Sequence, residues 1–342
     1  MKACEMMKDS KIIDVAQQAS VSPATVSRVL NGSTLVTEET KKKVLQAVQE
    51  LNYTPNAMGK QLRSRRTMTL AVVVTDIGVS YNAEIIKGIE NTANTLKYKI
   101  LICDSQNKKG KELEFLSLLQ NRTVDGLILV TPQLTDEEII SFADEDYAIG
   151  LIGRRLEHHG IPCSYTDNQR IGREVVEHLV ERGHRRIAFL SGYDQAVDSI
   201  GRLKGYQAGL EAAGLPILSE LIDNGDFCEE GGYEAFKRLW EMNGDFTAVF
   251  TANDEMALGV YKACAELGMD IPGDMAVVGV DNIRITNYVK PKISSVEQPL
   301  YDMGALLADR LIDQMNDNVR AQKQLIKIHS TLIVKGSSGK EG

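Results

Sequence analysis

Four small, polar or basic residues stand close together near the start of the chain. They are Ala24, Thr25, Ser27 and Arg28, and the apolar positions around them place all four on or near one free face of a predicted helix. Side chains of this kind suit insertion into the major groove of DNA, where small residues permit close approach and polar groups meet base edges. The pattern predicts a DNA-reading surface.

Two helices joined by a tight turn must position this face. Ser22 can cap the second helix, and Pro23 suits its first turn. A third helix is predicted at 37–51, where Thr37 precedes acidic residues that favour a helix start. The first two helices are spaced to share a small core, formed by Val15, Ala16, Ala19, Val21, Val26 and Leu30.

Charge is distributed unequally along the chain. Residues 1–67 carry eleven Lys and Arg against six Asp and Glu, whereas the remaining residues carry 28 against 41. The overall net charge of −8 argues against a surface that binds nucleic acid everywhere. A basic start on an acidic body instead localises the attraction for phosphate to the first 67 residues.

Length and composition narrow the class of protein further. The 342 residues predict two or three domains. The first residues lack the apolar run of a signal peptide, and no stretch approaches the length needed to span a bilayer, so we expect a cytoplasmic protein without a membrane partner. Buried thiols in a reducing compartment are expected, because five widely spaced cysteines form no CxxC pair: Cys4, Cys103, Cys163, Cys228 and Cys264.

From Leu70 onward, short apolar strands alternate with helical stretches. The predicted strands lie at 70–74, 100–103, 126–130, 148–152, 187–191, 248–251 and 276–280. Helices between them are predicted at 83–96, 112–121, 171–182, 201–213, 231–242 and 255–267. Repeating βα units indicate doubly wound parallel sheets, and a break near 165–168 suggests two of them. The polar tail 335–342 is expected to be disordered.

Several motifs that carry chemistry are missing from the sequence. It contains no GxGxxG, GxxxxGK[ST], GxSxG or HExxH pattern. The pair His158 and His159 has no partner at a metal-ligand spacing. We therefore expect no cofactor, no metal site and no enzymatic activity, and an enzyme acting on sugars is disfavoured.

Motifs along nearly the whole chain resemble the LacI/GalR family of bacterial transcriptional regulators. The segments DVAQQASVSPATVSRVLN (14–31) and LNYTPN (51–56) match the start of that family closely. Further matches follow in order: VDGLIL (124–129), TDN (166–168), GH (183–184), RLKGY (202–206), NDEMALG (253–259) and VVGVDN (277–282).

The resemblance implies a small all-α helix-turn-helix head and an α/β body similar to periplasmic binding proteins. The head would be a DNA-binding domain at 10–56, followed by a hinge helix or linker at 57–67 and an effector-binding and dimerisation domain at 68–335. Two doubly wound subdomains joined by three crossover strands would form that body. The first would take about 68–166 and 297–325, and the second about 167–296 and 326–335.

The same resemblance assigns DNA contacts. Pro23, Ala24 and Arg28 would determine base choice, with Arg28 binding a guanine through O6 and N7. Ser22, Thr25, Ser27 and Asn31 would hold the phosphate backbone or fix the register, and Tyr53 and Asn56 belong to the matched LNYTPN segment. In the hinge, Leu62 would enter the minor groove as a wedge. Gly59 replaces the usual alanine there and should weaken the hinge helix without DNA.

For a small-molecule effector, the resemblance implies a site in the cleft between the subdomains. Arg202, Asn253 and Asp281 match positions that bind polyols, and Phe227 matches an aromatic platform. Tyr81 lies where the first strand of the body ends, at a position that faces a cleft in such folds. Segment 78–82 departs from the usual Ser-Asn-Pro-aromatic pattern. Arg154 is a second departure, pointing either into the cleft, where it would favour an anionic ligand, or to the surface.

These observations predict a homodimeric repressor of a carbohydrate-uptake or catabolic operon, controlled by a sugar-like effector. No leucine heptad follows Val334, so a dimer and a pseudo-palindromic double-stranded operator are expected. Two alternatives are a global catabolite regulator with a phosphorylated carrier protein as corepressor and a regulator with a purine corepressor. A periplasmic solute-binding protein is disfavoured by the basic head.

Overall fold

The computed structural model describes residues 10–30, 32–33, 35–53, 66–158, 160–317 and 324–339. They form two compact units, one up to Arg66 and one from Thr67 onward. Several residues singled out above lie outside the described residues, together with most of the predicted hinge: Asn31, Asn56, Gly59, Leu62 and His159.

The described part of the first unit contains three helices, as the sequence predicts: α1 (Ile12–Gln18), α2 (Pro23–Leu30) and α3 (Glu38–Glu50). Thr37 caps α3 by accepting a hydrogen bond from the Thr40 amide. The helices share an apolar core of Val15, Ala16, Ala19, Val26, Val29, Val44 and Ala47. Val21 and Leu30 pack against this core but stay partly exposed, whereas Val29 is buried without having been predicted.

The second unit alternates strands and helices. Its strands are β1 (Thr69–Val74), β2 (Lys99–Asp104), β3 (Gly126–Val130), β4 (Ile149–Ile152), β5 (Cys163–Tyr165), β6 (Ile187–Ser191), β7 (Ile222–Asn224), β8 (Ala248–Thr251), β9 (Ala276–Asp281), β10 (Ser294–Glu297), β11 (Leu325–Lys327) and β12 (Thr331–Ile333). Its helices are α4 (Ser80–Thr95), α5 (Lys109–Gln120), α6 (Asp136–Asp144), α7 (Asn168–Glu181), α8 (Val197–Ala212), α9 (Glu229–Asn243), α10 (Asp254–Leu267) and α11 (Leu300–Asp317).

The strands form two sheets of matching topology. One sheet has the order β11-β5-β4-β3-β1-β2 and the other β12-β10-β9-β8-β6-β7. Neighbouring strands run parallel except β10 and β12, which are antiparallel. In each sheet the order reverses beside the first strand, β1 or β6, which creates a crevice outside the carboxyl ends of the strands.

Helices cover the strands of both subdomains. Leu70, Val72 and Val74 of β1 contribute to a core that includes residues of α4 and α11, while Ala71 and Val73 contribute to the core of the opposite face. The second sheet has its own large core. The expected doubly wound architecture is therefore confirmed.

Three short segments connect the two sheets: 166–167, 298–299 and 328–330. Thr166 donates a hydrogen bond to Gln298 at 2.7 Å, and Lys327 donates one to Asp167 at 2.8 Å. These bonds link the first connection to the second and to the last residue of β11, which precedes the third. Because β11 pairs with β5, Leu325–Lys327 belongs to the first sheet.

Close helix packing under the second sheet fixes the position of polar side chains near the crevice. Gly172 of α7 and Gly205 of α8 face the opposite helix, and a Cβ at either would lie 2.2 Å or less from a backbone oxygen there. Only glycine permits this approach. It brings Arg202 of α8 within 3.0 Å of Asn168, the first residue of α7.

Residues 335–339 of the polar tail are ordered, contrary to the expectation of disorder. Ser337 donates its backbone amide to the Lys292 carbonyl, and its side chain donates to the Val277 carbonyl. The Lys335 amide donates to Ser294 at 2.8 Å. These hydrogen bonds let a polar segment stay buried, which composition alone does not reveal.

Two further findings concern membrane-spanning helices and the burial of the cysteines. None of the helices in the described residues is long and apolar enough to cross a membrane. Of the described cysteines, Cys103, Cys163 and Cys264 are buried as expected, whereas Cys228 is exposed at the start of α9.

Candidate DNA-binding and effector sites

Helix α2 presents a narrow exposed face. Ser22 caps it, accepting a hydrogen bond from the Thr25 amide at 3.2 Å. Pro23, Ala24 and Arg28 are exposed, and Val26 on the other side is fully buried. Thr25 and Ser27 are half-buried at the edge of this face. The structure thus leaves free the three side chains for which base contacts are predicted.

The remaining predicted DNA contacts are half-buried or fall outside the described residues. Tyr53 is half-buried and packs against the core of the three helices. Asn31, Asn56 and Leu62 lie outside the described residues. On α3, Lys42 is exposed between two lysines that form ion pairs with glutamates of the same helix, at 3.5 Å for Lys41 and 2.8 Å for Lys43.

One cavity in the second unit is lined by residues that follow the carboxyl ends of strands in both sheets. Crevices at this position bind ligands in open α/β sheets generally. All six residues predicted for the effector site line it: Tyr81, Arg154, Arg202, Phe227, Asn253 and Asp281. Residues that are up to 200 positions apart in the sequence therefore line the same cavity.

Arg202 is anchored at the floor of the cavity. Only 2% of its surface is exposed. Its Nε donates to the Asn168 side chain at 3.0 Å, and its Nη1 donates to the Ala252 carbonyl. Nη2 lies 3.7 Å from a carboxylate oxygen of Asp198, which also lines the cavity. The guanidinium is thus fixed by protein groups before any ligand arrives.

Asp281 connects the cavity to the segments that join the sheets. It ends β9 with a left-handed φ of 104°, and its Oδ1 accepts a hydrogen bond from Gln298 at 2.7 Å. Burial raises the pKa of Asp281 to about 7, although Arg202 and the Gln298 hydrogen bond favour the ionised form. Gln298 in turn accepts a hydrogen bond from Thr166. A change at Asp281 therefore reaches two of the three connecting segments.

Asn253 holds an aromatic side of the cavity in place. Its Oδ1 accepts the Met256 amide at 3.1 Å and caps α10, while its Nδ2 donates to the Phe227 carbonyl at 2.9 Å. The Phe227 ring packs edge to face with Tyr193, with centroids 5.5 Å apart. Both ends of the Asn253 amide are therefore paired within the protein. Because one of them bonds the Phe227 backbone, Asn253 positions Phe227.

Arg154 faces the cavity with its charge already paired. Its Nη1 donates to the Leu134 carbonyl at 2.5 Å and lies 3.4 Å from Asp136. Nearby, the buried Glu112 accepts the amides of Gln133 and Leu134, and burial raises the pKa of its carboxyl. The sequence left open whether Arg154 is a cleft or a surface residue. It lines the cavity and stabilises the loop after β3.

Tyr81 stands on the opposite side of the cavity from the groups of the second sheet. It lies in the first turn of α4, directly after the loop that follows β1. Burial raises the pKa of its hydroxyl, and the carboxylates of Asp198 and Asp281 raise it further. The hydroxyl therefore stays protonated and acts as a hydrogen-bond donor at neutral pH.

The sequence did not single out several other polar residues of the cavity. They are Asn82, Asn107, Thr131, Gln133, Tyr193 and Asp198. Most of them follow the end of a strand within a few residues. That position in the sequence could have identified them as cavity residues. Among the described residues, no group of His, Cys, Asp and Glu side chains is arranged to hold a metal ion.

A helix-turn-helix unit together with a two-sheet body that encloses a polar cavity defines a regulator of transcription with a ligand-binding body. Residues 11–56 match the model of the bacterial regulatory proteins of the lacI family, and residues 176–338 match a periplasmic binding protein-like domain. The catabolite control protein A of Priestia megaterium is 37% identical over 306 residues, which cover 89% of this chain and 92% of that protein. The chain belongs to the lacI family of bacterial regulatory proteins.

Two solved structures extend the comparison. The lac repressor dimer bound to operator and the anti-inducer ONPF matches with a TM-score of 0.85 at 26% identity. The match covers 97% of this chain and 99% of the lac repressor chain. The complex of the transcriptional regulator CelR with cellobiose matches with a TM-score of 0.72 at 30% identity. The match covers 96% of this chain and 99% of the CelR chain. The relatives are regulators of transcription, and this protein is a DNA-binding transcriptional regulator.

Proposed function

We propose that the protein is a homodimeric repressor of a carbohydrate-uptake or catabolic operon that acts in the cytoplasm. A sugar-like effector would bind between the subdomains of the body at 68–335 and set the operator affinity of the head at 10–56. The observation that carries this proposal is the meeting of six predicted ligand-binding residues in one cavity between the two sheets. The structure of CelR holds cellobiose, which supports a sugar for this chain too.

The chemistry of the cavity suits a polyol. Carboxylates and a guanidinium can each bridge neighbouring hydroxyl groups, and Asp281, Asp198 and Arg202 stand close together. The rings of Phe227 and Tyr193 offer apolar faces for the C–H side of a sugar. Small-molecule sites typically combine apolar walls with a few fixed polar groups of this kind.

Ligand binding can alter the angle between the subdomains through the connecting segments. Gln298 donates a hydrogen bond to Asp281, and Thr166 donates one to Gln298, so these bonds connect the cavity to the segments. An effector that binds one arrangement of the subdomains more tightly shifts the population toward it. In the proposed dimer, that shift changes the spacing of the two heads and hence the operator affinity.

For DNA recognition, we assign base contacts to Pro23, Ala24 and Arg28, which are exposed on α2. Arg28 would bind a guanine, and the two small residues would make apolar contacts such as one with a thymine methyl group. Ser22, Thr25 and Ser27 would contact the phosphate backbone. Two heads on a dimer require a pseudo-palindromic operator.

Exposed apolar side chains on the body support dimerisation. Leu101 and Ile102 of the edge strand β2 are each 40% exposed, and Tyr288, after the 3₁₀ helix Arg284–Asn287, is 62% exposed. Exposed hydrophobic side chains on an unpaired strand edge favour contact with another chain.

The outer face of α4 and α11 argues against a phosphorylated carrier protein as corepressor on the first subdomain. The exposed charged side chains there are Glu84, Lys87, Glu90, Asp302, Asp309 and Asp313. Acidic groups outnumber the single lysine, so this face repels a phosphoryl group.

A thermal-shift screen of the full chain tests the proposed function. The panel contains neutral sugars, phosphorylated sugars, sugar acids and purines. Because a ligand that binds the native state raises the unfolding midpoint, we expect a neutral sugar to do so. A rise with hypoxanthine alone would instead establish the purine alternative, and no rise with any small molecule would favour a protein corepressor.

A further inference from the structure

Asn82 is a buried amide in the wall of the cavity with one unpaired end. It lies on the inner side of the first turn of α4, with 1% of its surface exposed. Its Nδ2 donates to the Asp76 carbonyl at 2.6 Å. Its Oδ1 is buried and accepts no hydrogen bond from any other described residue. A buried acceptor without a donor costs free energy, so it requires an explanation.

The orientation of this amide is fixed by its neighbour. A backbone carbonyl accepts hydrogen bonds and cannot donate them, so the Asp76 oxygen requires the NH₂ end of Asn82. The oxygen end therefore stays on the unpaired side. A group that pairs with it must be a donor, such as a hydroxyl.

The charges around the cavity indicate what kind of donor that is. The two lining arginines already face carboxylates, since Arg154 lies 3.4 Å from Asp136 and Arg202 lies 3.7 Å from Asp198. Asp281 stands beside Arg202 as well. An anionic ligand would have to compete with these carboxylates for the arginines. A neutral ligand with several hydroxyl groups meets no such competition.

We propose that Asn82 determines specificity in this cavity, and that its Oδ1 accepts a hydrogen bond from one hydroxyl group of a neutral, polyhydroxylated effector. This inference rests on the proposed function, because it concerns the same cavity. Asn82 lies in the segment 78–82, which departs from the family pattern, so its contact belongs to this chain in particular. Like other sites built to bond a hydroxyl, it should reject analogues that lack the group.

Calorimetric titration of the full chain tests the proposal. The probes are D-glucose, D-ribose and cellobiose, the monodeoxy forms of whichever of these binds, and glucose 6-phosphate and hypoxanthine. Each is titrated into the wild type, Asn82→Leu and Ser105→Ala. Leucine matches the size of asparagine without its oxygen. Ser105→Ala is the matched control, because it removes another buried, unpaired oxygen that does not line the cavity.

We expect one monodeoxy sugar to bind the wild type about tenfold more weakly than its parent, since one hydrogen bond is lost. Against Asn82→Leu, that analogue and its parent should bind equally, whereas Ser105→Ala should behave like the wild type. A purely structural role of Asn82 would not couple its side chain to one particular hydroxyl group of the ligand.

Two other results would overturn the inference in distinguishable ways. If a neutral sugar binds but Asn82→Leu discriminates its deoxy forms as the wild type does, Asn82 is not the acceptor and the proposed function still stands. If only glucose 6-phosphate or hypoxanthine binds the wild type, the neutral effector and the proposed function both fail.

Discussion

Ser80 and Glu255 join the two subdomains next to residues that line the cavity, since Ser80 precedes Tyr81 and Glu255 follows Asn253 by two positions. The Ser80 hydroxyl, at the start of α4, donates a hydrogen bond of 2.8 Å to the carboxylate of Glu255 in the first turn of α10. The two residues are 175 positions apart and lie in helices of different subdomains. This contact bridges the two subdomains outside the cavity, while the hydrogen bond from Gln298 to Asp281 connects the cavity to the joining segments.

Replacing Ser80 by alanine should weaken effector binding. The variant loses the contact between the subdomains, so the closed arrangement becomes less populated. We expect a two- to fivefold higher Kd, about the value of one solvent-accessible hydrogen bond. Calorimetry measures it, and Glu84→Gln, on the exposed side of the same helix, should leave the Kd unchanged. Unaltered binding by Ser80→Ala would show that the contact does not contribute to closure.

Asp281 should make the stability of the protein depend on pH. Burial raises its folded-state pKa from 3.8 to about 7, with Asp198 and Glu255 adding to the rise. The folded state therefore holds a proton that the unfolded state releases, so this contribution is full below about pH 4 and is lost as the pH rises through about 7.

Asp281→Asn keeps an acceptor for Gln298 but does not titrate. The unfolding midpoint of the wild type should fall by several degrees relative to that of Asp281→Asn between about pH 5 and about pH 8. Calorimetric scans at each pH give the difference, and Asp302→Asn, at an exposed site, should track the wild type. Parallel curves for wild type and Asp281→Asn would contradict a raised pKa.

Arg28 should contribute base discrimination as well as affinity. Arg28→Ala should bind an operator selected from random duplexes about tenfold to a hundredfold more weakly, and should tolerate changes at one base pair. Lys42→Ala removes an exposed lysine of α3 and should weaken binding to all duplexes alike. Fluorescence anisotropy measures both. If Arg28→Ala keeps the base preference of the wild type, the proposed orientation of α2 on DNA is wrong.

The acidic face of α4 and α11 should not bind a phosphorylated carrier protein. We expect a phosphorylated carrier protein to change operator affinity by less than about twofold, because Asp309 and Asp313 repel the phosphoryl group. The unphosphorylated carrier is the control. A large gain in operator affinity with the phosphorylated form alone would establish the carrier as corepressor.

Local signals made much of the fold predictable. Caps such as Ser22 and Thr37 and the apolar spacing of the head gave α1 to α3, and each apolar run of the body proved to be a strand. Helices such as α4 and α7 begin three residues earlier than expected, at Ser80 and Asn168. Their first turns face the cavity or a neighbouring helix with polar groups and therefore show no apolar period.

The cavity was predictable in its residues but not in its hydrogen bonds. Resemblance gave four lining positions, the end of the first strand gave Tyr81, and Arg154 was left open between cleft and surface. The sequence could not show that both ends of the Asn253 amide are paired, or that Asn82 has one end free, because those facts depend on Phe227 and Asp76 after folding. The buried tail was mispredicted for the same reason, since its partners, Lys292 and Val277, are more than forty residues away in sequence.

Operator binding measured with and without a neutral sugar tests the central claim most directly. A labelled operator, selected from random duplexes, is titrated with the full chain in the presence of D-glucose, D-ribose or cellobiose. We predict that one of these sugars changes the operator Kd by about tenfold, within the usual range of coupling between two sites. Asp281→Ala should abolish this response while Asp302→Asn retains it. An operator Kd that no neutral sugar changes, or a response that survives in Asp281→Ala, would contradict control through this cavity.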